Sequence, residues 1–83
     1  MELKLDLHPV YNRHKAIDDA LEALLQEALQ KKARSVEIIT GKGSGQLKKR
    51  VLKFLERKKG SLPDHRIYKD RDNYGRIFIK FRF

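Results

Sequence analysis

The hydrophobic pattern of this chain changes its period several times, and those changes constrain the fold more than any other feature. Alternation of apolar and polar residues predicts strands in four segments, which are 3–7 (LKLDL), 35–40 (SVEIIT), 65–69 (HRIYK) and 76–83 (RIFIKFRF). Apolar residues recur at three- and four-residue steps from about Arg13 to Lys32 and again from Leu47 to Lys59, which predicts two amphipathic helices. The predicted element order is therefore β-α-β-α-β-β.

The polar residues of the predicted strands indicate where the helices pack. They all fall on one side of their strands, and they are Lys4, Asp6, Glu37, Arg66, Lys80 and Arg82. A sheet face with this composition is not expected to lie under an apolar helix. We therefore predict an α/β fold in one domain spanning residues 1–83: a two-layer sandwich with both helices on one face of a four-stranded mixed sheet. The loops that follow the first two strands should then lie close together, where ligands bind in open α/β sheets.

Positive charge is concentrated in the middle of the chain. The net charge of the 83 residues is +9. Residues 1–30 carry a net charge of −3, residues 31–60 carry +9, and residues 61–83 carry +3. A local basic field favours a polyanionic partner, with nucleic acid, DNA or RNA, as the first choice and an anionic membrane surface as the second. The simpler alternative is a solvated basic helix face that aids solubility.

Several classes of protein are disfavoured by composition. The chain has no cysteine, so a disulfide framework and thiolate metal sites are excluded, and a reducing compartment fits. Its longest apolar runs are four or five residues, whereas a membrane-spanning helix needs about 20. We expect a cytoplasmic protein that does not enter membranes, and we favour a monomer.

A glycine-rich loop, TGKGSG (40–45), connects the second strand to the second helix. It matches neither a Walker A sequence nor a dinucleotide-binding fingerprint. Glycines let backbone N–H groups approach an oxyanion, and the positive end of the helix lies behind them. The predicted phosphate-binding residues are Thr40, Gly41, Lys42, Gly43, Ser44, Gly45, Lys48, Lys49 and Arg50. The alternative is a tight strand-to-helix turn that only requires positive φ.

Asp6 and His8 are the candidate catalytic residues. They lie two positions apart at the end of the first predicted strand, so their side chains can converge on one group. A carboxylate and an imidazole in this arrangement can act as base and acid in phosphodiester hydrolysis, or can hold a divalent metal such as Mg²⁺ or Mn²⁺. The alternative is a surface carboxylate balanced by Lys4 and a histidine whose hydrogen bonds are satisfied by the backbone.

Two separated motifs resemble the small MutS-related (Smr) domain family. They are LDLHP near the start and VEIITGKGSGQLKKRVLKFLE in the middle, and a basic, aromatic strand follows at the end. The resemblance spans nearly the whole chain. It implies DNA or RNA binding and, as in several members, endonuclease activity. Asp6 and His8 occupy the positions implicated in cleavage, and Gly41, Lys42 and Gly43 occupy the second motif.

Two residues depart from the family pattern. Pro9 replaces the glycine that usually follows the first histidine, and Thr40 stands where some members carry a second histidine. Pro9 stiffens its loop, and Thr40 removes an imidazole that could donate a hydrogen bond to a scissile phosphate. Two hypotheses follow: a nuclease that nicks DNA or RNA, or a nucleic-acid-binding module without turnover. Tyr11, Tyr68 and Tyr74 could stack on bases or could simply pack.

Overall fold

The computed structural model describes residues 2–10, 12–41, 45–69 and 75–83. Within these ranges the chain forms four strands and two α-helices, in the predicted order. The elements are β1 (Glu2–Asp6), α1 (His14–Lys31), β2 (Ser35–Ile39), α2 (Gln46–Lys58), β3 (His65–Lys69) and β4 (Arg76–Phe81). Short 3₁₀ turns follow β1 (His8–Val10) and α2 (Lys59–Ser61). None of the described helices is long and apolar enough to cross a membrane.

The four strands form one mixed sheet in the order β1-β2-β4-β3. β1 and β2 are parallel, and β4 is antiparallel to both of its neighbours, so β3 runs parallel to β2. The connections from β1 to β2 and from β2 to β3 therefore cross the sheet in the same direction. Right-handed crossovers of this kind place their helices on the same face.

One core lies between that face and the helices. In register across the sheet, Ile38 lies between Leu5 and Ile77, and Val36 lies between Leu3 and Ile79. These side chains form a single cluster with the buried residues of both helices, which are Ile17, Leu21, Leu24, Leu25 and Ala28 of α1 and Val51, Phe54 and Leu55 of α2. The prediction of a two-layer sandwich with both helices on one face is confirmed.

The opposite face of the sheet carries Glu37 near its centre. Although no helix covers it, this residue is only 9% exposed. Its carboxylate accepts a hydrogen bond from Arg76 at 3.0 Å and lies 3.5 Å from the Lys4 ammonium. Two cationic side chains on the neighbouring strands thus bury the carboxylate and compensate its charge, as a buried charge requires.

The end of β1 differs from the expectation. The prediction that Asp6 and His8 share one strand is wrong, because β1 ends at Asp6 and His8 begins the 3₁₀ turn. Pro9 fixes φ near −65°, which suits a 3₁₀ turn, and it has no N–H to extend the ladder. The turn is closed by the Asp6 carboxylate, whose Oδ1 accepts the His8 backbone N–H at 2.9 Å.

Candidate functional site

Three chain segments meet at the end of the sheet where β1 and β2 terminate. Leu7 N–H donates to the Ile39 carbonyl at 2.9 Å, which carries the β1–β2 pairing one residue past β1. The Gly75 carbonyl, just before β4, accepts hydrogen bonds from the N–H groups of Thr40 at 2.7 Å and Gly41 at 3.2 Å. The start of the glycine loop is therefore tied to the residue that precedes β4 and lies beside the segment that leaves β1.

Gly41 forms the contact between the two predicted motifs. A Cβ added to Gly41 would lie 2.9 Å from His8 Cδ2, so the imidazole ring packs against the bare α-carbon. Gly41 also has a φ of +81°, a conformation that other residues rarely adopt. The expectation that the two loops lie together is confirmed by this contact. The positive φ of Gly41 suits a turn, and phosphate binding by this loop stays a prediction.

Gly75 contributes to this junction, although the sequence RDNYG (71–75) by itself indicates only a turn. A Cβ at this position would lie 3.0 to 3.2 Å from three backbone atoms of Gly41. Gly75 is buried, and its carbonyl is the shared acceptor described above. The signal in the sequence was a glycine directly beside a strand, which can mark a close approach of another backbone segment.

We expect Gly75→Ala to lower the free energy of unfolding by about 1–3 kcal/mol, because the methyl group would press on backbone that cannot rotate away. Chemical denaturation measures the change. Gly60→Ala is the matched control, since a Cβ at Gly60 meets no atom within 4 Å and its φ is not positive. A Gly75→Ala protein as stable as the Gly60→Ala protein would contradict the close packing of Gly75 on Gly41.

Asp6 is exposed, and among the described residues its carboxylate accepts a hydrogen bond from the His8 backbone N–H. No side chain in the described part of the chain forms an ion pair with the Asp6 carboxylate. Lys4, the residue expected to balance its charge, lies beside Glu37 instead. The proposed balancing of Asp6 by Lys4 is therefore wrong. Asp6 holds the turn that presents His8, and its second oxygen carries no hydrogen bond from the described part of the chain.

The remaining loop residues divide into three groups. Lys42, Gly43 and Ser44 lie outside the described residues. Thr40 is only 4% exposed, and its N–H is already paired with the Gly75 carbonyl. Gly45 is the N-cap of α2 with a φ of +84°, and the helix begins without a side-chain cap or an acidic residue in its first turn. The first turn of α2 thus holds the positive end of the helix dipole and contains no acidic residue.

The basic residues at the start of α2 have different surroundings. Lys49 is exposed and forms no ion pair within the described ranges, while Lys48 is half-buried. The Arg50 guanidinium lies 3.0 Å from the Asp18 carboxylate and donates to the His14 carbonyl at 3.4 Å. Arg50 therefore links α2 to α1, a role that the sequence pattern did not indicate, and its place among the phosphate-binding residues stays a prediction.

A protein-only metal cage is not formed by the described residues. Among them, no group of three or more histidine, cysteine or acidic side chains is placed to hold a metal ion. Asp6 and His8 are two potential ligands at most, so a bound Mg²⁺ or Mn²⁺ would need oxygens from the substrate or water as well.

Comparison with known proteins identifies the family. Residues 5–82 match the family model of the Smr domain, which is nearly the whole chain. Among solved structures, the Smr domain of Thermus thermophilus MutS2 is 18% identical and superposes with a TM-score of 0.75, covering 99% of this chain and 98% of that one. At this identity the likeness shows the fold alone. No curated protein matched the sequence. The family model agrees with the two motifs and the fold, and the chain belongs to the Smr domain family.

Proposed function

We propose that this chain binds nucleic acid at the junction of β1, the glycine loop and β4, and that Asp6 and His8 nick phosphodiester bonds there. The Smr domain family is known for nucleic-acid binding and nicking. The observation that carries the proposal is the packing of the His8 imidazole against Gly41. This contact places His8, one member of a potential acid–base pair, directly against the glycine loop.

Phosphate binding is supported by the start of α2. A helix N-terminus carries about half a positive charge, and neither a side chain at the N-cap, Gly45, nor an acidic residue in the first turn offsets it. Lys49 adds a full charge on the same turn. A phosphate bound by these groups would lie near the His8 ring, because Gly41 contacts that ring and only three residues separate Gly41 from Gly45.

Asp6 and His8 supply complementary proton transfers. In hydrolysis, the oxygen of a water molecule attacks the phosphorus, and the bond from phosphorus to the leaving oxygen breaks. The Asp6 carboxylate accepts the proton of the attacking water, and a protonated His8 imidazole donates a proton to the leaving oxygen. The hydrogen bond from the His8 backbone N–H holds the Asp6 carboxylate beside the backbone of His8.

The second candidate function is nucleic-acid binding without turnover. Two observations favour it: Asp6 Oδ1 is already used to close the turn, and Thr40, in place of a family histidine, is buried. In this alternative, His8 and the glycine loop bind phosphate groups of the nucleic acid, and no phosphodiester bond is cleaved.

A single assay separates the two functions. Purified protein is incubated with supercoiled plasmid, single-stranded DNA and structured RNA, each with Mg²⁺, with Mn²⁺ and with a chelator, and binding is measured on the same samples. Nicked circles or cut strands support the nuclease. Retarded but intact nucleic acid supports the binding module, and an absence of both binding and cleavage at low salt would refute the proposal.

We expect Lys49→Ala and Arg50→Ala to have different main effects. Lys49→Ala should weaken binding to all nucleic-acid sequences alike, because a phosphate contact carries no base information, and should leave thermal stability unchanged. Arg50→Ala should lower the free energy of unfolding by about 1 kcal/mol, since it removes a half-buried ion pair and leaves Asp18 unpaired. Binding curves and thermal melts of both variants check this. Unchanged stability of Arg50→Ala would contradict the role of Arg50 as a link between the helices.

A further inference from the structure

The half of the open sheet face formed by β3 and β4 carries a pair of aromatic side chains. Tyr68 lies directly opposite Phe78 in the register of these strands. Both project away from the helices, since the alternate residues Ile77 and Ile79 are fully buried in the core. Tyr68 is 43% exposed, and Phe78 is half-buried beside it. An exposed aromatic ring next to a second ring offers a flat apolar surface in an otherwise polar face.

Cationic side chains border this pair. The Lys80 ammonium lies 5.5 Å from the centroid of the Tyr68 ring, and Lys80 is opposite Arg66 in register. Both cations are exposed, and neither forms an ion pair within the described ranges. Like charges directly opposite each other on a sheet repel, and a bound polyanion would relieve that repulsion. Neither β3 nor β4 contains an acidic residue.

The aromatic pair lies on the same sheet face as Asp6, one of the two candidate catalytic residues. Asp6, Ile39 and Arg76 form one row across β1, β2 and β4, and Lys4, Glu37, Phe78 and Tyr68 form the next row. Rows on one face are about 7 Å apart and neighbouring strands about 5 Å apart, so Tyr68 lies roughly 15 Å from Asp6 across the sheet. A single strand of nucleic acid is long enough to contact both Asp6 and the aromatic pair.

We infer that Tyr68, Phe78, Arg66 and Lys80, here called the β3–β4 aromatic patch, stack unpaired nucleobases while the phosphates of the same strand bind at the glycine loop. The inference rests on the proposed function and specifies its substrate class: single-stranded nucleic acid, or an unpaired segment beside a duplex. Aromatic side chains stack on the faces of splayed bases regardless of their sequence, whereas bases inside a duplex have no free face. The patch therefore selects unpaired over paired strands.

The test compares three ligands built on the same sugar-phosphate strand. They are a single strand of about 12 nucleotides, its duplex, and a strand of the same length with abasic sites, made as DNA and, for the first two, as RNA. Binding is followed by fluorescence anisotropy for wild type, Tyr68→Ala and Tyr68→Phe. The control is Ile67→Ala, a partly exposed residue of β3 that faces the other side of the sheet. Circular dichroism melts check that the variants fold.

Wild type should bind the base-bearing single strand more tightly than the abasic strand. Tyr68→Ala should weaken single-strand binding about 5- to 10-fold, at the low end of measured stacking losses, and should remove the difference from the abasic strand. Tyr68→Phe and Ile67→Ala should bind like wild type, as should Tyr68→Ala with duplex. The DNA and RNA arms show whether the patch discriminates the sugar.

The inference is overturned if Tyr68→Ala binds the single strand as wild type does, or if it loses affinity equally for single strand, duplex and abasic strand. In either case wild type and Lys49→Ala still report on the proposed function, because the phosphate contacts do not depend on the patch. If wild type binds none of the ligands at low salt, the proposed function fails, and the inference fails with it.

Discussion

Replacing His8 with alanine is expected to lower the rate of plasmid nicking by about 10²- to 10⁴-fold, the range that general acid catalysis contributes. The imidazole is exposed to solvent on one side and held against Gly41 on the other, so it can reach a phosphate bound at the start of α2. Binding should fall much less than the rate. His14→Ala is the matched control, because His14 is an exposed histidine at the start of α1 whose backbone carbonyl, rather than its imidazole, contacts Arg50.

Asp6→Asn tests the partner group with minimal change of shape. The amide oxygen can still accept the His8 N–H, so the turn that positions His8 should persist. The amide is a very poor base and a weaker metal ligand, so nicking should be abolished while binding is kept. Asp19→Asn, at an exposed position of α1, controls for the change in net charge.

One outcome would contradict the catalytic assignment of both residues. If nicking persists undiminished in preparations of the Asp6→Asn, His8→Ala double variant, it comes from a contaminating nuclease. The chain would then be a nucleic-acid-binding module without turnover. Thermal melts of the double variant are needed beside the assay, so that loss of nicking is not mistaken for loss of folding.

Nucleic-acid affinity is expected to fall steeply with salt. The basic segment from residue 31 to 60 carries a net charge of +9, and we expect four to six phosphate contacts from it and the glycine loop. Each contact contributes about −0.9 to the slope of log affinity against log salt on duplex DNA, so binding should weaken roughly 10²- to 10³-fold from 50 to 200 mM. Titrations at several salt concentrations measure the slope.

Single charge removals refine this prediction. Lys49→Ala should reduce the slope by about 1, because one phosphate contact is lost. Glu56→Gln, which removes an exposed negative charge on the outer side of α2, changes net charge by the same amount in the opposite sense and should not reduce the slope. A binding curve that is flat between low and moderate salt would remove the electrostatic basis of the proposal.

The sequence by itself determined the order of the elements and the faces of the sheet. Alternation in β2 and β4 and the three- and four-residue repeats in α1 and α2 were sufficient, because each element of a two-layer sandwich has one buried side and one exposed side. Asp6, His8 and the glycine loop were also recognisable as candidates, since they follow the first two strands at the edge where open α/β sheets bind ligands. The resemblance to the Smr domain family rested on those same positions, and the family match confirms it.

Only the tertiary structure decided how these residues are used. Whether His8 continues β1 or turns depends on a hydrogen bond from its own N–H to Asp6, which competes with pairing to β2. Glu37 and Arg50 were recognisable as charged residues, but their partners, Arg76 and Asp18, are 39 and 32 positions away. Gly75 gained its role from its packing on Gly41. Contacts between residues so distant along the chain form only when strands and helices pack together. Local sequence patterns therefore do not predict them.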